Sequence, residues 1–382
     1  MDAASRGSVS LQAQAGRPAP DNSKAMSDLK AYLKALVDAG GSDLHLKVGQ
    51  PPVLRVQGDI KVTKLPKLSP KDTERIATSI VPASLLGSLE TTGGADFAYD
   101  ATGLGRFRTN VFRQRGLTGI VMRRVLPAPP VLDSLHLPEP VKQLASEPRG
   151  LALVTGPTGS GKTTTCAAML NHINSTRGCT VVTLEDPIEI LHTDKKALIN
   201  QREIGTDTES FHAGLRHVLR QDPDVIFVGE MRDPETVWAA LAAAETGHLV
   251  ISTLHTIDAQ ETVNRIVEFF PSERQRQIRH SLAGALKGIV SQRLVTRKDG
   301  KGRLPAVEIL VATGRVHEAI IDPEETRMIP EIIAEGDFYG MQTFDQHLLE
   351  LFESKIITLE DALHAATSPH DLRLAMRKAG VA

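Results

Sequence analysis

The stretch Leu151-Ala152-Leu153-Val154-Thr155, followed by Gly156-Pro157-Thr158-Gly159-Ser160-Gly161-Lys162-Thr163, constrains this chain more than any other. A strand-sized apolar run enters a glycine-rich turn that opens a helix, and the turn fits GxxxxGK[ST] at every fixed position. The glycines let backbone N–H groups approach phosphate oxygens, and the helix start adds its positive end. Lys162 is placed to neutralise β and γ phosphates, and the Thr163 hydroxyl to ligate Mg²⁺. A glycine turn matches such a pattern by chance far less often when a strand precedes it and a helix follows. The expectation is ATP with Mg²⁺, held by Gly156, Pro157, Thr158, Gly159, Ser160, Gly161, Lys162, Thr163 and Thr164.

Around this loop, strand and helix signals alternate. Leu151–Thr155, Thr180–Leu184, Val225–Gly229 and Leu249–Thr253 read as strands with helical segments between them. That alternation predicts a mostly parallel, buried sheet flanked by helices, so the fold class is α/β. The nucleotide-binding core is expected over 141–312, and a helical region over 313–382, where Leu348, Leu349, Leu351 and Phe352 share one amphipathic piece.

Upstream the pattern differs. Residues 1–26, rich in Ala, Ser, Gln, Gly and Pro, bury too little to offset ordering entropy and read as a disordered tail, with Met26 a candidate functional start. From 27 to 126 a smaller α+β domain is expected. Leu29, Tyr32, Leu33, Leu36 and Val37 recur at helical spacing up to Gly40-Gly41. Short strands follow at Leu44–Val48 and Val53–Val56, a helix near Pro70–Ile80, and strands at Gly105–Phe112 and Gly119–Val125. Residues 127–140, punctuated by Pro127, Pro129, Pro130, Pro138 and Pro140, read as a linker.

Three further stretches carry chemistry. Asp224–Glu230 is an apolar strand ending in an acid, so Glu230 is positioned to polarise an attacking water or to hold Mg²⁺ through one. Thr183–Glu189 places Glu185, Asp186 and Glu189 after another strand, where open parallel sheets bind ligands. We assign Glu185 to the catalytic set, and Glu189, with Thr163, to the metal. His248 and His255 bracket the strand Leu249–Thr253; lone histidines are more often packed or surface residues. Arginines at 106, 108, 113, 115, 123 and 124 lie in the smaller domain. A basic strand pair is usually a solvated face, but a ring in which one subunit covers its neighbour's nucleotide would use them in trans.

Composition narrows the remaining options. Lysine plus arginine total 44 against 46 acids, a net charge of −2, which gives no support to a nucleic-acid-coating role. The two cysteines, Cys166 and Cys179, form neither a disulfide framework nor a CxxC zinc pair, and suit a reducing cytoplasm. No apolar run reaches membrane-span length, so work at a membrane would need a partner already there.

Together these stretches resemble the secretion-ATPase superfamily, specifically the PilT/PilU branch of type IV pilus retraction motors. The resemblance runs from about Ser27 to the C-terminus. It rests on the Walker A loop at 156–163, an Asp box at Glu185–Glu189, a Walker B at Ile226–Glu230 and a His box ending at His255. Gly229–Asp233 and Gly340–Gln346 are also similar. The resemblance implies a PAS-like N-terminal domain, a RecA-like ATPase domain and a homohexamer. It implies a cytoplasmic protein, peripheral at the inner face of the cell membrane, coupled to an inner-membrane pilus platform protein and to a paralogous retraction ATPase. It makes Glu230 the catalytic carboxylate and His255 the reader of the γ-phosphate. Arg108 and Arg123 match the two arginines such domains supply, with Arg106 and Arg113 weaker candidates. Assembly and type II secretion ATPases, the runner-up, insert a four-cysteine zinc module after the His box; Ser291–Leu310 contains no cysteine. A non-hydrolysing scaffold is disfavoured by the presence of Lys162, Thr163, Glu230 and His255. Where many members of the retraction branch carry an Ala-Ile-Arg-Asn-Leu-Ile-like helix needed for retraction, this sequence reads Glu325-Thr326-Arg327-Met328-Ile329-Pro330-Glu331-Ile332-Ile333, a departure that leaves principal and accessory motor both open.

Overall fold

The computed structural model describes residues 22–56, 58–125 and 128–381. The chain divides into two units between Arg124 and Val125. The first opens with α1 (Asn22–Asp38), in which Ala25, Leu29, Leu33 and Leu36 are buried at helical spacing. The expected tail therefore needs correcting at its end. Residues 22–26 belong to this helix because Ala25 and Met26 reach the core, while residues 1–21 lie outside the described residues.

Strands β1 (Asp43–Leu46), β2 (Val53–Val56) and β3 (Asp59–Val62) follow, then helices α2 (Pro70–Ile80) and α3 (Ala83–Thr91). Strands β4 (Gly94–Ala101), β5 (Gly105–Gln114) and β6 (Leu117–Arg124) complete the unit. Among the described residues they form one six-stranded sheet in the order β3-β2-β1-β6-β5-β4, antiparallel throughout. Helix α2 begins where the sequence placed it, because Ser69 and Asp72 close a capping box and Pro70 occupies the first turn. The turn between β5 and β6 is tighter than the expected gap of Arg113–Thr118. Arg115 (φ 51°) and Gly116 (φ 76°) both adopt the left-handed conformation, which allows a two-residue hairpin. Sequence reading missed β3, α3 and β4.

The second unit begins with a 3₁₀ turn at Leu132–Leu135 and α4 (Glu139–Ser146), so part of the proline-rich stretch is ordered structure. Next come β7 (Gly150–Thr155), α5 (Lys162–Thr176), β8 (Thr180–Glu185), β9 (Leu198–Glu203), α6 (Phe211–Val218) and β10 (Val225–Val228). They are followed by α7 (Pro234–Glu245), β11 (Leu249–Leu254), α8 (Ala259–Glu268), α9 (Ser272–Ala285), β12 (Leu286–Thr296) and β13 (Arg303–Val311). The sheet order is β13-β12-β7-β11-β10-β8-β9, parallel except for the β12–β13 hairpin. Strands β7, β10 and β11 are buried at every position, which is why they read as continuous apolar runs.

Helices α10 (Gly314–Ile321), α11 (Ile329–Ala334), α12 (Phe344–Glu353), α13 (Leu359–Ala365) and α14 (Pro369–Lys378) close the chain. Leu348, Leu351, Ala362, Leu372 and Met376 from this region share a core with Val295, Leu304 and Ala306 of the β12–β13 hairpin. Pro330 sits in the first turn of α11, where a missing N–H is tolerated.

Candidate functional site

The carboxyl ends of β7, β8, β10 and β11 bring the motifs of the second unit together. After β7 the chain enters the glycine-rich loop with Gly156, Gly159 and Gly161 all at positive φ. A Cβ on Gly156 would lie 2.5 Å from the Gln292 carbonyl oxygen and 2.6 Å from Ser160 Oγ, so only glycine fits there. Lys162 is buried, and its Nζ donates to the carbonyls of Gly156 at 2.6 Å and Pro157 at 3.2 Å. Burial lowers the Lys162 pKa, opposed by the fields of Glu230, Cys166 and Glu189.

Glu230 and Glu189 are thus close enough to act on the lysine. Glu185, at the end of β8, is buried and accepts hydrogen bonds from Thr183 Oγ1 at 2.6 Å and Gln201 Nε2 at 3.1 Å. Burial raises its pKa, opposed by the hydrogen bonds from Thr183, Gln201 and the Glu189 backbone. Beyond β10, the carboxylate of Glu230 is held on both oxygens. Arg232 donates to Oε2 from Nε at 2.8 Å and Nη2 at 2.7 Å, and His255 Nε2 lies 3.2 Å from Oε1. Arg232 also lies 3.7 Å from Asp186.

The two histidines part company. His255, at the end of β11, joins Glu230, whereas His248 sits at the other end and donates through Nδ1 to the Ala243 carbonyl at 2.9 Å. A cleft of about 520 Å³ opens beside the Glu230–His255 pair and runs along α8, lined there by Glu261, Arg265 and Phe269. It is a distinct space from the glycine-rich loop.

The arginines of the first unit form a row that sequence alone did not reveal. Arg108 on β5 stands opposite Arg123 on β6, Arg123 opposite Asp43 on β1, and Asp43 opposite Arg55 on β2. Arg123 Nε donates to Asp43 Oδ1 at 2.7 Å, Ser42 Oγ donates to Oδ2 at 2.7 Å, and Arg55 Nε lies 3.9 Å from Oδ2. Burial pushes the Asp43 pKa up, but the hydrogen bonds from Arg123 and Ser42 outweigh it and hold the carboxyl below its ordinary value. Arg106 and Arg113 are committed elsewhere, to Asp100 and Glu74, both at 2.9 Å.

Sequence reasoning missed Arg232, Asp43, Arg55 and Gln292. Arg232 had a signal, an arginine two residues after a strand-end acid. The row had none without the strand register.

Residues 120–330 match the family of type II/IV secretion system proteins. Over 344 residues, 90% of this chain and 99% of the relative, the sequence is 41% identical to the type IV pilus retraction ATPase PilT of Pseudomonas aeruginosa. This chain belongs to the PilT/PilU branch of the type II/IV secretion ATPases. The identity to the type IV pilus ATPase PilU of the same organism is also 41%, over 92% of this chain and 91% of that one. A crystal structure of the retraction motor PilT with bound ADP superposes with a TM-score of 0.84 at 44% identity, covering 91% of this chain and 99% of that one. The PilT-like layout, an N-terminal sheet domain followed by an ATPase domain with C-terminal helices, is the one described above. Among the described residues no helix is long and apolar enough to cross a membrane.

Proposed function

We propose that this chain is the ATP-hydrolysing subunit of a homohexameric motor that retracts type IV pili. The observation that carries the reading is the convergence of Lys162, Glu230 and His255 at the carboxyl ends of one parallel sheet. In this reading Gly156–Thr164 cradles the phosphates and Lys162 turns from the loop carbonyls to the β and γ oxygens. Glu230 accepts a proton from the attacking water, and His255 reports the γ-phosphate to β11.

The residues present fit Mg²⁺. Among the described residues no group of three or more His, Cys, Asp or Glu forms a metal cage. Mg²⁺ at nucleotide sites is instead held by one hydroxyl or carboxylate, waters and the substrate's phosphates. Thr163 would be the ligand from the chain and Glu189 would act through water, with buried Glu185 beside them at the end of β8. Bound there, the ion neutralises phosphate charge.

Arg108 and Arg123 would serve a neighbouring subunit's nucleotide, which requires a ring. The motor works at the cytoplasmic face of the inner membrane on a pilus platform protein, with a paralogous retraction ATPase as a further partner. Retraction is favoured over assembly because β12 and β13 are joined through residues 297–302, a turn without cysteine. An accessory, PilU-like role is the second reading, supported by the equal identity to both relatives and by the altered segment at α11.

The test is a deletion strain complemented with this chain or with its Glu230→Gln variant. Deletion should leave surface pili present or increased and abolish twitching movement; the wild-type chain should restore it. Glu230→Gln should still bind ATP but lose turnover by roughly 10²–10⁴-fold and fail to complement. Bald cells would reject retraction in favour of assembly. Weakened retraction with normal pili would select the accessory role.

A further inference from the structure

The glycine-rich loop has a neighbour that the reading above does not use. Gln292 lies on β12 one residue past Ser291, which pairs with Thr155 at the end of β7. Its main chain therefore runs against the start of the loop, and its carbonyl oxygen is what a side chain at Gly156 would strike, 2.5 Å away. Its side chain reaches the other end of the loop, with Nε2 3.8 Å from where a Cβ on Gly161 would stand. One residue thus touches both ends of Gly156–Gly161.

Gln292 is 1% exposed, and neither Oε1 nor Nε2 has a hydrogen-bond partner. Ser160, 4% exposed within the loop itself, also has an unpartnered hydroxyl. Local partners for Gln292 are already taken. Val307, opposite it on β13, gives its N–H to His347 Nδ1 and its carbonyl to Gln342 Nε2. A buried amide with both ends unpaired is costly, and native proteins rarely keep one without a use.

Lys162 supplies the reason. Its ammonium now satisfies the Gly156 and Pro157 carbonyls. A lysine that moves to phosphate oxygens leaves those carbonyls without a donor, in a region where an unpaired carbonyl is expensive. Among the described residues, the unpartnered buried donors at the loop are the Ser160 hydroxyl, beside Gly156, and the Gln292 amide, beside Gly161.

We propose that Gln292 is a positioning residue that takes over the loop's polar groups when Lys162 turns to nucleotide phosphate. The proposal rests on the reading that this loop binds ATP. Gln292 then favours the nucleotide-bound arrangement selectively, since its hydrogen bonds form only there. Its strand also carries Arg293, which donates to the Ala365 carbonyl at 2.7 Å and stacks on Phe344, so a shift at Gln292 would reach the C-terminal helices directly.

The experiment uses full-length protein and the near-isosteric substitution Gln292→Met. Affinity for a non-hydrolysable ATP analogue with Mg²⁺ and the thermal midpoint with and without that analogue are measured in parallel. Loss of one or two hydrogen bonds made only in the bound form predicts roughly tenfold weaker binding. Without nucleotide the variant should melt at or above the wild-type midpoint, because an unsatisfied buried amide has been removed. Equal affinity for wild type and variant would overturn the proposal. So would a lower midpoint without nucleotide that accounts for the whole loss, since that marks a purely structural residue. If Gln292→Met does not fold, Gln292→Asn, which keeps the amide but withdraws it by one methylene, should show the same selective loss of affinity. Failure of the wild-type chain to bind the analogue would instead refute the ATP-binding reading.

Discussion

Asp43–Arg123 in the first unit and Glu230–Arg232 in the second are both acid–arginine pairs, fixed by different means. Asp43 is 4% exposed and meets its arginine across two strands in register, with Ser42 on its other oxygen. Sheet register makes that contact durable, and it leaves Arg123, 67% exposed, facing solvent in a set direction. Glu230 is held by a residue two positions along the same loop, and by a histidine at the end of the adjacent strand. A small change in the loop undoes that contact. The first pair presents a cation; the second is a clasp that can release an acid.

The largest effect is expected from breaking the first pair. Arg123→Ala, and Arg108→Ala opposite it, should each cut ATP turnover strongly, since arginines acting in trans are worth about 10³–10⁵ in rate. Mixing either variant with Glu230→Gln should restore part of the activity, because some interfaces then pair two intact halves. No rescue in demonstrably mixed hexamers would reject the trans role. Asp43→Asn keeps both arginines and should cost less than either alanine, which measures how much of the effect comes from holding Arg123 in place.

Glu308 shows what burial does to an acid whose neighbouring arginine is bonded elsewhere. Glu308 on β13 is pushed up to about 7 by burial and by Asp258 and Asp345, against the Ala259 N–H it accepts and the field of Arg293. Arg293 is nearby, but its guanidinium is spent on Ala365, Thr367 and the ring of Phe344. Because the folded form binds this proton more tightly than the unfolded chain, its stability falls as pH rises through the window from about 4.5 to 7. Glu308→Gln still accepts from Ala259 and removes the titration. It should recover about 3 kcal/mol at pH 8, or roughly 5–10 °C in the melting of the second unit, and almost nothing at pH 4. A pH-independent gain in differential scanning calorimetry would show that Glu308 is not the titrating group.

The same contrast explains what could be read from the sequence. The second unit was legible where its chemistry is contiguous: the loop at Gly156–Thr163 and the apolar strands β7, β8, β10 and β11, buried on both faces, announce themselves. The hairpin of β12 and β13 did not, since its alternation is blurred by burial and by Arg293, Glu308 and Pro305. In the first unit α1 showed a clear period and α2 a clear cap, but β3 is exposed along its length and its Ile60–Val62 alternation spans only four residues. Asp43 and Gln292 were invisible for a different reason. Each matters through a cross-strand neighbour far away in sequence, and only the register identifies that neighbour.

The smallest effect should come from opening the clasp. Arg232 occupies Glu230 Oε2 with two N–H groups, and a carboxylate oxygen so engaged competes poorly for a proton from water. His255 alone would still orient Oε1. Removing Arg232 therefore frees the working oxygen while keeping its direction, and because the arginine is 57% exposed the interaction removed is modest. Arg232→Ala should raise basal ATP turnover by roughly two- to tenfold, within the range of one or two hydrogen bonds. It should leave the affinity for a non-hydrolysable analogue unchanged. Arg232→Lys, a point charge that cannot form the fork, should fall between the two. His255→Ala should act oppositely and slow the reaction. A fall in turnover for Arg232→Ala would mean that the arginine holds Glu230 in its working position, and the second pair would then be as durable in function as the first.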